Sequence, residues 1–240
     1  MGEHDWNRIG RIIDALARRL RDRMPGDCIL CRAPATASGL CPDCRDDLPA
    51  VPAARCPVCA SPTGTGATCG PCLRNPPAFD AVVAAAPYAF PVDALVHALK
   101  YGHRLAASIP LASVLADAVQ HESLPDLIVP VPLSRERLMA RGFNQALEIA
   151  RALPAPLGAR IAATVLERRR DTAPQATLSQ AERAQNVRDA FDCTGNVRNA
   201  TVVLLDDVMT TGATLHAAAS ALRRAGAAAV RGWVVARALV

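Results

Sequence analysis

Two adjacent acids, Asp206 and Asp207, close the apolar run Thr201-Val-Val-Leu-Leu205, and Thr210-Thr211-Gly212-Ala213-Thr214 follows after two intervening residues. A buried strand that runs into acids, a turn of small hydroxyl residues and then a helix is suited to holding a phosphorylated sugar. The turn delivers backbone N–H groups to a helix start, where the dipole also favours an anion. Gly212 permits close approach or a positive φ. The hydroxyls of Thr210, Thr211 and Thr214 are placed to donate to phosphate oxygens. Asp206 and Asp207 are placed to accept from vicinal ribose hydroxyls and to help organise Mg2+. The plainer alternative is a strand–turn–helix with a capping threonine and two solvated acids. Neither a Walker A sequence nor a Gly-x-Gly-x-x-Gly is present, so the usual ATP and dinucleotide loops lack support.

A second group of residues has a different chemistry. Val129-Pro130-Val131-Pro132-Leu133 leads into Arg135, Arg137 and Arg141-Gly142-Phe143-Asn144-Gln145. A strand ending in prolines and followed by arginines reads as an anion-binding rim. Residues 131–190 carry ten arginines against six acids, enough for a local basic surface. Arg141 and Asn144 also read as a helix-packing and capping pair. Lys100 is the only lysine of the chain, so lysine chemistry has one candidate, weighed against a solvated surface position. His97, His103 and His216 show no ligand spacing with one another.

The third group is the cysteines. Cys28-x2-Cys31-x9-Cys41-x2-Cys44 repeats as Cys56-x2-Cys59-x9-Cys69-x2-Cys72, offset by 28 residues. Two thiolates two residues apart turn onto one ion, and two such pairs complete a tetrahedral shell. The simplest assignment is one Zn2+ on Cys28, Cys31, Cys41 and Cys44 and a second on Cys56, Cys59, Cys69 and Cys72. Closed four-sulfur shells are structural, not catalytic. Cross-pairing between the halves, disulfides and an iron–sulfur cluster remain open alternatives. Cys193 lies outside the pattern and reads as a buried thiol.

These groups must be positioned by the rest of the chain, which has 240 residues and is 51% apolar. Three segments are expected: an amphipathic helix within 1–24, a double zinc ribbon at 25–76 and an α/β domain at 77–240. The helix, at 5–23, has Trp6, Ile9, Ile13, Leu16 and Leu20 at helical spacing. In the α/β domain, strands are expected at 81–89, 127–131, 161–166, 202–206 and 229–236. Helices are expected at 91–101, 106–121, 135–153, 181–188 and 214–225, with a loop at 168–180. Strands alternating with helices imply a mostly parallel sheet covered on both faces. Apolar stretches stay short of membrane-span length. The first 23 residues carry six arginines and no continuous apolar segment, unlike a secretory signal. A cytoplasmic location is the expectation. The formal charge of +5 drops to about +1 if each four-thiolate zinc site carries about −2, so nucleic-acid binding would need a local patch.

Taken together the motifs resemble the ComF family of amidophosphoribosyltransferase-like competence proteins. The resemblance runs from about Pro25 through the duplicated cysteine knuckles, Cys72-Leu-Arg-Asn-Pro-Pro-Ala-Phe-Asp80 and His97-Ala-Leu-Lys100-Tyr101. It continues through Pro130-Val-Pro-Leu133, Arg141-Gly-Phe-Asn-Gln145, Arg170-Asp-Thr-Ala-Pro-Gln175, Leu178-Ser-Gln-Ala-Glu-Arg183 and the Asp206–Thr214 stretch. That last stretch looks like the phosphoribosyl pyrophosphate (PRPP) motif of type I phosphoribosyltransferases. The resemblance implies their fold behind a zinc ribbon. It places Asp206 and Asp207 at the ribose of PRPP, Thr210 to Thr214 (including Ala213) around its 5-phosphate, and Val131, Pro132 and Leu133 near its pyrophosphate. Arg135 and Arg141 are the candidates for balancing that charge, with Mg2+ bound alongside PRPP. A loop at 168–180, entered through Arg168, Arg169 and Arg170, would close over the ligand. In some members the resemblance also implies a role in DNA uptake. Two functions follow: phosphoribosyl transfer to an acceptor, or a PRPP-sensing or single-stranded-DNA-binding adaptor that docks a competence helicase through its ribbon.

Overall fold

The structure, a computed structural model, describes residues 26–169 and 190–238. The helix expected at 5–23, the helix expected at 181–188 and all but the first two residues of the loop expected at 168–180 lie outside the described residues. The described residues form two compact units, divided between Leu48 and Pro49.

In the smaller unit, β1 (Gly26–Asp27) pairs antiparallel with β2 (Pro34–Ala35), and the short helix α1 (Pro42–Asp46) follows. Cys28, Leu40 and Cys41 form its buried centre. So small an apolar cluster offers little burial, and a metal shell is the natural supplement.

The larger unit is built on a four-stranded parallel sheet. Its strands are β3 (Ala81–Pro87), β4 (Leu127–Pro130), β7 (Thr201–Met209) and β8 (Ala229–Arg237), in the order β3-β8-β7-β4. A separate antiparallel ladder joins β5 (Leu166–Arg168) to β6 (Phe191–Cys193). Val202 to Leu205 on the inner strand β7 are all buried, as expected of a parallel strand covered on both sides.

Residues of a strand alternate between faces. Val202 and Leu204 of β7, with Val82, Val129 and Val234, pack against Leu215, Ala218 and Leu222 of helix α7 (Ala213–Arg224). The buried residues of the other helices do not join that cluster. These are α3 (Val92–Lys100), α4 (Ser108–Ala118) and α6 (Gln145–Ala152), and they cover the opposite face. The expected α/β architecture is therefore present, with a parallel central sheet.

Two expected elements differ. The helix expected at 135–153 is two helices, α5 (Arg135–Arg141) and α6, because Gly142 takes φ +80° and caps the first. The strand expected at 161–166 reduces to a single bridge from Ile161 to Ile128. After Ala162 N–H donates to Ile128 O at 2.8 Å, the chain turns away, and pairing resumes only at β5. Among the described residues no helix is long and apolar enough to cross a membrane.

The second cysteine set belongs to the larger unit. Cys56 and Cys59 are buried in the same packed cluster as β7 and α7, and the short helix α2 (Gly70–Arg74) begins between Cys69 and Cys72.

Candidate functional site

The acids Asp206 and Asp207 lie in the carboxy-terminal half of β7, immediately ahead of the turn that opens α7. Parallel α/β sheets place ligands at this end. Gly212 is the N-cap residue of α7 at φ +84°. That backbone is left-handed, and an added Cβ would stand 2.5 Å from the Met209 methyl. Thr211 Oγ1 accepts from Ala213 N–H at 3.4 Å, and Thr210 and Thr211 are exposed.

Beside this turn opens a cavity of about 410 Å3. From the ends of β4 and β7 come Val131, Pro132, Leu133, Asp206, Asp207 and Val208. From the helices come Lys100, Tyr101, Arg137, Arg141, Gln145 and Thr214, and Arg168 completes the wall. The structure thus brings Val131–Leu133, Arg141, both acids and Thr214 to one hollow. Arg135, Thr210, Thr211, Gly212 and Ala213 are not on its wall, whereas Arg137 is.

The acids are tied down differently. Asp207 is almost wholly buried, at 3% exposure. Its Oδ2 forms an ion pair with Lys100 Nζ, and its Oδ1 accepts from Gln145 Nε2 at 3.3 Å. Gln145 in turn accepts from Arg141 Nη1 at 2.5 Å, and the Arg141 guanidinium lies 5.6 Å from the centre of the Tyr101 ring. Asp206 Oδ1 accepts from the N–H of Asp207 at 2.9 Å. Burial, and then the neighbouring Asp207 carboxylate, push the Asp206 carboxyl well above its usual range. A cation between the two carboxyl groups would offset both the burial and the like charge that raise Asp206. The pair also offers the hard oxygen donors that Mg2+ takes.

The break at Gly142 explains the Arg-Gly-Phe-Asn-Gln sequence. Ending α5 there lets Asn144 start α6. Its Oδ1 accepts from the N–H groups of Ala146 at 2.9 Å and Leu147 at 3.4 Å, while its Nδ2 donates to Val131 O at 3.0 Å. One side chain therefore caps a helix and holds the loop after β4 against it. The capping role expected of Asn144 is present, and Gln145 is the residue whose role sequence reasoning missed. Lys100 had a signal, its uniqueness, but nothing local pointed it at Asp207.

The cysteines form two separate quartets, each with sulfur atoms within 4.8 Å of one another. A tetrahedron with 2.3 Å metal–sulfur bonds needs sulfurs about 3.8 Å apart. The Cys31–Cys41 and Cys59–Cys69 sulfurs are 3.5 Å apart, far beyond a bonded pair at about 2.05 Å. Cross-pairing and disulfides are thereby set aside for these eight residues. Backbone N–H groups already point at sulfur: Cys44 N–H meets Cys41 Sγ and Cys69 N–H meets Cys56 Sγ, each at 3.4 Å. Although burial opposes it, backbone N–H groups pull the Cys28 and Cys56 thiols down to about 6, whereas burial and the neighbouring thiols push those of Cys41, Cys44, Cys69 and Cys72 up. A cation among the four sulfurs would relieve that crowding and favour the thiolates. Both quartets fit closed structural Zn2+ sites.

Residues 23–73 match the model of a double zinc ribbon domain, and residues 138–239 match that of a phosphoribosyl transferase domain. The chain is 37% identical over 229 residues to the DNA utilization protein YhgH of Escherichia coli (strain K12), covering 90% of this chain and 99% of that one. It is 32% identical to competence protein F of Haemophilus influenzae Rd, covering 88% and 96% of the two chains. Against competence protein ComFC of Bacillus subtilis (strain 168) it is 38% identical over 104 residues, 43% of this chain and 40% of that one.

Proposed function

Because the chain belongs to the ComF/YhgH-like family, with a phosphoribosyltransferase domain and an amino-terminal double zinc ribbon, we propose that its cavity binds PRPP or a related ribose 5-phosphate and serves DNA uptake or utilisation. The observation that carries this reading is the placement of Asp206 and Asp207. They stand at the ligand end of a parallel strand, directly before a helix-opening turn, with Lys100, Arg137 and Arg141 lining the same cavity.

In this reading the turn from Thr210 to Thr214 holds the 5-phosphate through N–H and hydroxyl donors. The two acids accept from the ribose hydroxyls. The Val131–Leu133 loop, with Arg137 and Arg141 beside it, faces the pyrophosphate, and the Arg135 expected there stands outside the cavity wall. Mg2+, when bound, would neutralise pyrophosphate oxygens and carry part of the leaving-group charge. Transfer then needs no side-chain nucleophile. An acceptor attacks the anomeric carbon as its bond to pyrophosphate breaks, and pyrophosphate departs with the electron pair. Clamping both phosphate ends while positive charge grows on the ring lowers the barrier.

The test is calorimetry with PRPP and ribose 5-phosphate, with and without Mg2+, on the wild type and on the Asp206→Asn, Asp207→Asn double variant. Binding that disappears in the variant while zinc content stays the same supports the reading. A wild type that binds neither ligand rejects it. Pyrophosphate release in the presence of candidate acceptors separates a transferase from a sensor.

A second reading is favoured by the relatives' names and by the arginine excess of residues 131–190. It makes the chain a cytoplasmic adaptor that holds single-stranded DNA on its basic surface and docks a helicase-like partner through the ribbon. Such binding weakens steeply with salt, and salt-insensitive binding would count against it. Only eight Phe, Tyr and Trp residues are present in the chain, few for base stacking.

A further inference from the structure

Arg237, the last residue of β8, is buried at 7% exposure, and among the described residues no carboxylate meets it. A buried guanidinium without a counter-charge is costly unless its donors are spent well. Here each nitrogen has a partner. Nε donates to Cys59 O at 3.1 Å, and Nη2 donates to Ser61 Oγ at 2.7 Å. Nη1 reaches three carbonyls: Met209 O at 3.1 Å, Ala238 O at 2.6 Å and Thr210 O. Ser61 Oγ also lies 3.3 Å from Cys59 Sγ.

One planar side chain therefore grips two places. On one side are Cys59, a member of the second quartet, and the serine against its sulfur. On the other are Met209 and Thr210, the residues that lead from β7 into the Gly212 turn. The chemistry explains the choice of residue. Only arginine has five N–H donors in a rigid fork. A zinc ion with four thiolates carries about −2, which supplies the missing counter-charge. A hydroxyl that accepts from Arg237 and lies against a metal-binding sulfur is an outer-shell contact of the kind that orients metal ligands.

We propose that Arg237 is a positioning residue that couples the second zinc site to the phosphate turn, so that the metal at Cys56, Cys59, Cys69 and Cys72 sets the turn's grip on an anion. The inference rests on the reading of that turn as a 5-phosphate site. It makes the two zinc sites unequal: the second acts on ligand affinity, and the first, in the other unit, does not.

The test uses the full chain with Co2+ in place of zinc, and ribose 5-phosphate with Mg2+ as the probe. In the wild type, saturating ribose 5-phosphate is expected to shift the cobalt–thiolate absorption bands. In Arg237→Lys, which keeps the charge but cannot bridge both sides, affinity for ribose 5-phosphate should fall at least tenfold. The bands should then no longer respond, with two metals still bound per chain. Cys31→Ser should leave the affinity within about twofold, and Cys72→Ser should lower it as Arg237→Lys does. Wild-type protein that binds ribose 5-phosphate without any change in the bands overturns the coupling even if the lysine variant fails to fold, while the phosphate reading stands. Arg237→Lys that binds as tightly as the wild type does the same. Wild-type protein that does not bind ribose 5-phosphate at all overturns both.

Discussion

Lys100, at the end of α3, forms an ion pair with the buried carboxylate of Asp207, well inside β7. The only lysine of the chain thus lies against one of the two acids on which the site depends. Its side chain is 19% exposed and that of Asp207 is 4% exposed, so the pair is screened far less than a surface pair. Removing one partner strands the other charge. Lys100→Met is expected to lower stability by about 3 kcal/mol, read as a fall in the urea midpoint. Adding Asp207→Asn should recover much of that loss. An amine-reactive reagent should modify one internal residue, Lys100, and ribose 5-phosphate should slow that reaction, followed by mass spectrometry.

Asp206 carries a pH signature of its own. Its folded-state carboxyl is raised by burial and by Asp207, so the native chain keeps this proton after the unfolded chain has lost it near pH 4. Stability from this group is complete below that point and declines as pH rises, by up to about 1.4 kcal/mol per pH unit until the native carboxyl itself ionises. Asp206→Asn is expected to remove this decline. The difference in melting temperature between variant and wild type should therefore grow in the variant's favour from pH 4 to pH 7. A ligand that favours the ionised form should release protons on binding. Calorimetry in buffers of different ionisation enthalpy reads that release.

Asn144 has two separable duties. Asn144→Ala loses the cap of α6 and the bond to Val131 O, with an expected cost of about 1–2 kcal/mol. Asn144→Asp keeps the cap oxygen and loses only the donor. It should retain most of the stability yet loosen the Val131–Leu133 loop, seen as faster amide exchange at Val131 to Leu133.

The quartets differ in what they support. Cys56 is packed with the residues that join β7 to α7, whereas Cys28 is packed only with its own small cluster. Metal binding at such sites is worth on the order of 10 kcal/mol. Cys56→Ser should therefore depress the main cooperative unfolding transition. Cys28→Ser should leave that transition in place and abolish only the ordered amide signals of residues 26–48, observed by NMR.

Much of this protein is legible along the chain. The 28-residue offset between quartets is a local pattern, because each metal shell draws on residues within 16 positions of one another. The turn around Gly212 is also local, since a strand, a left-handed residue and a helix start follow in succession. The split at Gly142 was available in the glycine itself, yet the apolar spacing across 135–153 masked it. The expected strand at 161–166 failed for another reason. Its apolar residues meet the edge of β4 at one bridge only, and no periodicity reports where an edge stops.

The order of residues along the chain determined the α/β alternation, the two four-sulfur sets and the position of the acids before the turn, because each depends on spacings of a few residues. The tertiary structure alone decided that Lys100 meets Asp207 and that Gln145 reaches Asp207 from 62 positions away. It also decided that Arg237 reaches back 178 positions to Cys59. Those contacts arise when parallel strands and their crossover helices bring remote segments to the carboxyl end of the same sheet. A pattern of neighbours carries no record of that distance.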